Sequence, residues 1–169
     1  LACRLEKKCD VPRTVPGKSY KVGDKEKFWV LNSDTVEHTQ INATLLYVTD
    51  HSYFWAQDGA NVNQGDMKRL MDTFENEIYP TDREFFGSES NPGIDGDPHI
   101  FVIYASGLSG SVAGYFNSSD AFNPLVQEFS NAHDTYMLHT TQDLADEYTY
   151  GVLAHEFVHM TQFPSDRNE

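Results

Sequence analysis

His155-Glu156-Phe157-Val158-His159 decides how the rest of the chain is read. On a helix, residues four apart share a face. Two imidazoles at that spacing can reach one zinc ion, and Glu156 stands where it can polarise a water on the metal. The surroundings have helical character. Tyr148 and Val152 precede the histidines at three- and four-residue steps on the same face, and Leu144, Leu153 and Phe157 supply apolar contacts elsewhere on the helix. The competing reading is an ordinary amphipathic helix with two histidines facing solvent or each other.

Working outward, the 169 residues suit one domain with a core of its own. Twelve basic residues against 26 acidic ones give a net charge of −14, which repels nucleic acid and anionic membranes and makes both poor partners. No apolar run is long enough to span a membrane. The chain begins at Leu1 without a basic-then-apolar leader, which reads as a mature chain whose signal peptide has been removed. Cys3 and Cys9 are the only cysteines. They either close a small disulfide loop, which implies an oxidising compartment, or are free thiols in a terminal arm.

Residues 1–24 read as an extended arm and residues 25–169 as the folded unit. Strands are expected at Lys27–Leu31, at Thr39–Asp50 and, after a turn, at Tyr53–Ala56, the last two forming a hairpin. A helix follows over about Gln64–Phe86, with Met67, Leu70, Met71, Phe74 and Ile78 as its apolar stripe and Pro80 breaking or bending it. Ile100–Tyr104 is a continuous apolar run, the mark of a central strand covered on both faces. Val112–Phe116 reads as an edge strand and Thr135–His139 as a further strand. Thr141 and Asp143 can cap the motif helix, Asp146 and Glu147 lie in its first turns, and it ends near Pro164. The order β, β-β, α, β, β, β, α predicts an α+β fold: a mixed sheet with one backing helix behind it and the motif helix beneath it.

This order and these motifs resemble the N-terminal half of a zincin catalytic domain. More narrowly, they resemble bacterial secreted metallopeptidases of the hyicolysin and immune inhibitor A type. The resemblance rests on Pro92-Gly93-Ile94-Asp95-Gly96-Asp97, Ala113-Gly114-Tyr115-Phe116, Asp120, Ser130-Asn131 before the Tyr136-Met137-Leu138 strand, and Val152 through Met160. It implies zinc ligation by His155 and His159 through Nε2. Glu156 would be the general base that takes a proton from zinc-activated water and delivers it to the leaving amine. Gly114, Tyr115 and Phe116 would be the sheet edge that pairs with an extended polypeptide substrate, or else an ordinary edge strand. A secreted, extracellular zinc endopeptidase is the expected function.

Other residues carry weaker signals. Asp95 and Asp97 around Gly96 form either a Ca2+ site or a tight turn feeding a strand. His139 either approaches the motif helix or is a core or loop histidine. His38, His51, His99 and His133 lack ligand spacing. A catalytic zinc takes three protein ligands. The metzincin spacing would put the third at Ser165 and a glycine at Gln162, which excludes that subclass. A gluzincin-type Glu from a second helix is expected beyond Glu169, so the chain reads as truncated after its motif helix. Asp166 and Glu169 serve only if the chain folds back. The alternative function is a zincin-like peptide-binding module without turnover.

Overall fold

Strands β1 (Lys25–Asn32), β2 (Glu37–Val48), β3 (Ser52–Gln57), β4 (Ile100–Ala105), β5 (Gly114–Phe116) and β6 (Thr135–His139) build one mixed sheet in the spatial order β1-β2-β3-β4-β6-β5. The computed structural model describes residues 18–86, 99–117, 120, 124 and 128–166. β1, β2 and β3 form an antiparallel meander; β3, β4 and β6 are parallel. β5 returns antiparallel to β6 as the outer strand. The expected hairpin and the expected element order are both present, in an α+β arrangement.

Side-chain alternation explains the apolar run of β4. Ile100, Val102 and Tyr104 enter one core, while Phe101, Ile103 and Ala105 enter the other. β3 divides in the same way, with Phe54 and Ala56 on the first face and Tyr53 and Trp55 on the second. A register shift between Leu45 and Tyr47 lets β2 change sides, so that Leu45 joins the second core and Tyr47 packs against the first.

The helical elements are α1 (Gln64–Thr73), a π-helical segment (Phe74–Ile78), α2 (Tyr79–Phe86) and α3 (Glu147–Asp166). The expected helix over Gln64–Phe86 is thus continuous, and Pro80 does not break it. Tyr79 N–H bonds back five residues to Phe74 C=O, a wider turn just before the proline ring. That widening makes room where Pro80 brings no N–H and would crowd the carbonyl of Asn76. It also inserts one residue into the apolar stripe, so Tyr79 is buried where Ile78 was expected to be, and Ile78 only packs at the rim.

Both helical runs lie on the same sheet face, a correction to the expectation of one behind and one beneath. Phe157 of α3 packs against Phe74 (5.3 Å, 77°) and Tyr79 (5.4 Å, 24°). The opposite face is covered by the sheet itself. The rings of Phe28 on β1 and Phe101 on β4 are 6.1 Å apart, although three strand spacings of a flat sheet would separate them by about 14 Å. The sheet therefore curls over its second core. Tyr20, assigned from sequence to the extended arm, is set into that core against Trp55 (5.2 Å) and Phe101 (5.6 Å).

β1 ends the sheet, and side chains cover its outer edge. Asn131 accepts from Trp29 N–H (2.6 Å) and donates to Trp29 C=O (3.0 Å). The Tyr115 hydroxyl accepts from Leu31 N–H at 3.1 Å. No helix among the described residues is long and apolar enough to cross a membrane. Cys3, Cys9, residues 92–97 and Glu169 lie outside the described residues, so the disulfide, the Asp95/Asp97 calcium site and the Glu169 ligand do too.

Candidate active site

Asp146 starts the motif helix by accepting from Tyr148 N–H at 2.9 Å, the usual N-cap geometry. Thr141 and Asp143 were expected in that role. Asp143 instead shapes the preceding turn: its carboxylate accepts from Ala145 N–H (2.9 Å) and its C=O from the Thr149 hydroxyl (2.6 Å). α3 also runs through Pro164 to Asp166 rather than ending near the proline. Leu144, Leu153 and Phe157 are buried in the core that α3 shares with α1. That seat fixes the rotation of the helix, and His155 and His159 are therefore presented to solvent.

The two imidazoles meet. His155 Nε2 and His159 Nε2 are 3.1 Å apart, with the rings nearly perpendicular. Two nitrogen ligands of one tetrahedral zinc, with bonds of ~2.0–2.1 Å, would be separated by about 3.3 Å. The pair fits one cation, or one shared proton. Among the described residues, no group of three His, Cys, Asp or Glu side chains converges on a single point.

Glu156 turns toward β5. Its Oε2 accepts from Phe116 N–H at 3.2 Å. The bond follows from register. Ala113 C=O accepts from His139 N–H and Asn117 N–H donates to Thr135 C=O, so the odd-numbered residues of this stretch face β6. The main-chain groups of Gly114 and Phe116 face the other way, toward α3. Tyr115 does not share that orientation. Its main chain is spent on β6 and its ring lies on the second core, where burial pushes the phenol up to about 12. Of the three residues expected to pair with substrate, Gly114 and Phe116 face the site and Tyr115 braces the sheet.

Gly114 is required where it stands. A Cβ there would overlap the Tyr136 hydroxyl and the Met137 carbonyl oxygen. That hydroxyl is buried and has no hydrogen-bond partner among the described residues. Burial first, and the nearby Glu156 carboxylate second, push its pKa above the ordinary phenol value. A cleft of about 540 Å³ runs between residues 111–114 and α3, with His155 and Glu156 at one end. Nothing local in the sequence marked Tyr136 as part of this site. Tyr148 and Val152, recognised as sharing the face of the histidines, do line the cleft.

The remaining histidines lie elsewhere. His38 stacks on Phe129, His51 on Tyr79, His99 on Tyr53 and His133 on Phe101. His139 does not approach the motif. It alternates with Leu138 and so lies with Met137 on the face away from α3, and its Nδ1 accepts from Thr141 N–H at 3.0 Å. Desolvation lowers its pKa.

No family model matches the chain. The chain is similar to neutral metalloprotease ShpI of Staphylococcus hyicus, at 29% identity over 150 residues, covering 83% of this chain and 34% of the relative. It thus spans about a third of that curated relative's length. This distant similarity supports a relationship to a metallopeptidase family.

Proposed function

We propose that the chain carries the metal-binding part of a secreted, zincin-type zinc endopeptidase. In this reading His155 and His159 are two of the zinc ligands, Glu156 is the general base, and the substrate is an extended polypeptide. The observation that carries it is the close approach of two imidazoles, with a carboxylate from the same helix held by the neighbouring strand. The two Nε2 atoms are separated by a distance that suits one cation, and the carboxylate between them in sequence is tied to the outward edge of a strand. We assign the third ligand to a residue outside the described ones.

Zinc bound here would polarise the scissile carbonyl and lower the pKa of a water. The chain's own residues do the rest. Gly114 offers outward main-chain groups to an extended peptide, aligning it along β5. Glu156 takes a proton from the attacking water and passes it to the amine nitrogen as the C–N bond breaks. The water oxygen stays on the acyl carbon, so the products are a carboxylic acid and an amine. Phe116 N–H holds one carboxylate oxygen and leaves the other for the proton.

Hydrolysis of an unfolded polypeptide by the zinc-loaded protein, compared with Glu156→Gln and with chelator-treated protein, tests the proposal. New amino termini should form only with zinc and with Glu156, the variant losing about a hundredfold or more. Undiminished hydrolysis by Glu156→Gln would sink the mechanism. A second reading, a peptide-binding module without turnover, draws on the two-histidine count among the described residues. Peptide that binds the zinc-loaded protein and is recovered uncut would favour it.

A further inference from the structure

Two glycines line the cleft, and only one is explained by the chain itself. Gly114 leaves no room for a Cβ. Gly151 lies inside α3, where glycine weakens a helix by ~1 kcal/mol relative to alanine. A Cβ on Gly151 would meet no atom within 4 Å, and its backbone is ordinary helix. Neither packing nor conformation within the described chain demands a glycine there. What it provides is space on the cleft wall.

The surroundings give that space a chemistry. Tyr148, Gly151, Val152 and His155 follow one another at i, i+3, i+4 and i+7, a single helix face. This face is centred away from the one that Leu153 and Phe157 bury; Val152 at its edge packs against their core as well as lining the cleft, and Tyr148 adds a ring on the open side. Tyr148 on it is 63% exposed. Across the cleft stand Val112 and Ala113, followed by the outward main-chain groups of Gly114. An occupant must therefore bring main-chain donors and acceptors to the strand edge and an apolar group to the helix. The volume lies within the ~300–1,000 Å³ of ordinary ligand pockets.

We infer that Gly151 is a specificity-determining residue: it opens the cleft wall so that a bulky apolar side chain of an extended peptide lies over α3 between Tyr148 and His155. This rests on the reading of the cleft as a peptide site. The probes are blocked hexaalanine peptides, each with one Phe at a successive position, and the all-Ala parent. Binding is measured with the zinc-loaded Glu156→Gln protein, which holds peptides uncut, and cleavage with the protein that retains Glu156. Gly151→Leu should weaken the best Phe peptide by about tenfold or more while moving the all-Ala peptide less than about twofold, with Gly151→Ala intermediate. Both variants should melt no lower than the parent, because each residue is a better helix former than glycine. An unchanged Phe-to-Ala preference in Gly151→Leu overturns the inference, and so does the absence of any preference in the parent. Cleavage with an unmoved preference leaves the peptidase reading standing and this inference fallen. Binding with the expected loss, but without cleavage by the parent, does the reverse.

Discussion

Phe116 N–H donates to Glu156 Oε2 at 3.2 Å, joining the outer strand of the sheet to the residue between the two motif histidines. The bond gives Glu156 a structural role beside the proposed chemical one, and the two separate by substitution. A glutamine keeps an oxygen acceptor for Phe116 N–H; an alanine does not. A hydrogen bond of this kind is worth ~1 kcal/mol net. Glu156→Ala should therefore melt about 2–4 °C below the parent, and Glu156→Gln close to it. Equal melting of all three in scanning calorimetry would mean that the bond contributes nothing.

The Nε2 atoms of His155 and His159 should act as one unit toward metal. His159→Ala should lower zinc affinity by at least about tenfold, measured against a competing chelator, because removal even of a group supporting a ligand costs that much. His139→Ala is the control, since that imidazole is engaged by Thr141 on the other face. If His139→Ala lost zinc and His159→Ala kept it, the metal would bind elsewhere.

Gly114 and the Tyr136 hydroxyl compete for one volume. Gly114→Ala forces an overlap, and overpacking of this kind costs ~1–3 kcal/mol. Tyr136→Phe removes a buried hydroxyl that has no partner among the described residues, so it should cost nothing or stabilise. The double variant should recover part of the Gly114→Ala loss, leaving the clash with Met137 C=O. Additive changes in denaturant midpoint would rule out the shared volume.

Much of this site is local in the sequence. The spacing of His155 and His159 and the buried step from Leu153 to Phe157 place the motif on the exposed side of one helix. The unbroken Ile100–Tyr104 run marks the strand with a core on each face. What could not be read depends on partners far along the chain. Asn131 grips Trp29 across 102 positions, and no periodicity reports such a pairing. Asp143 and Asp146 are equivalent as caps until Thr149 bonds Asp143 C=O and leaves Asp146 at the helix start. Pro80 signals trouble in the helix but not its resolution as a π turn, which depends on where Tyr79 packs against Phe157.

Asp120 should give the fold a pH dependence opposite to that of most carboxylates. It is fully buried, with Asn131 N–H on Oδ1 (2.7 Å) and the Asn131 side-chain amide on Oδ2 (3.1 Å). Burial pushes its pKa up to about 7, outweighing the pull of Asn131, Asn117 and His133 in the other direction. Between the ordinary carboxylate range and about 7, the folded chain thus holds a proton that the unfolded chain has released. Stability contributed by this group falls as pH rises through that window and is level above it. Asp120→Asn keeps an acceptor for Asn131 N–H and cannot ionise, so its melting temperature should lack this component. Between pH 5 and pH 8 the parent should lose several degrees relative to the variant, about 2–4 °C for each kcal/mol. Because Asn131 also holds the Trp29 main chain, the loss should be accompanied by faster amide exchange at Trp29 in the parent. Parallel pH profiles for the two proteins would mean that Asp120 is already ionised in the fold at pH 5.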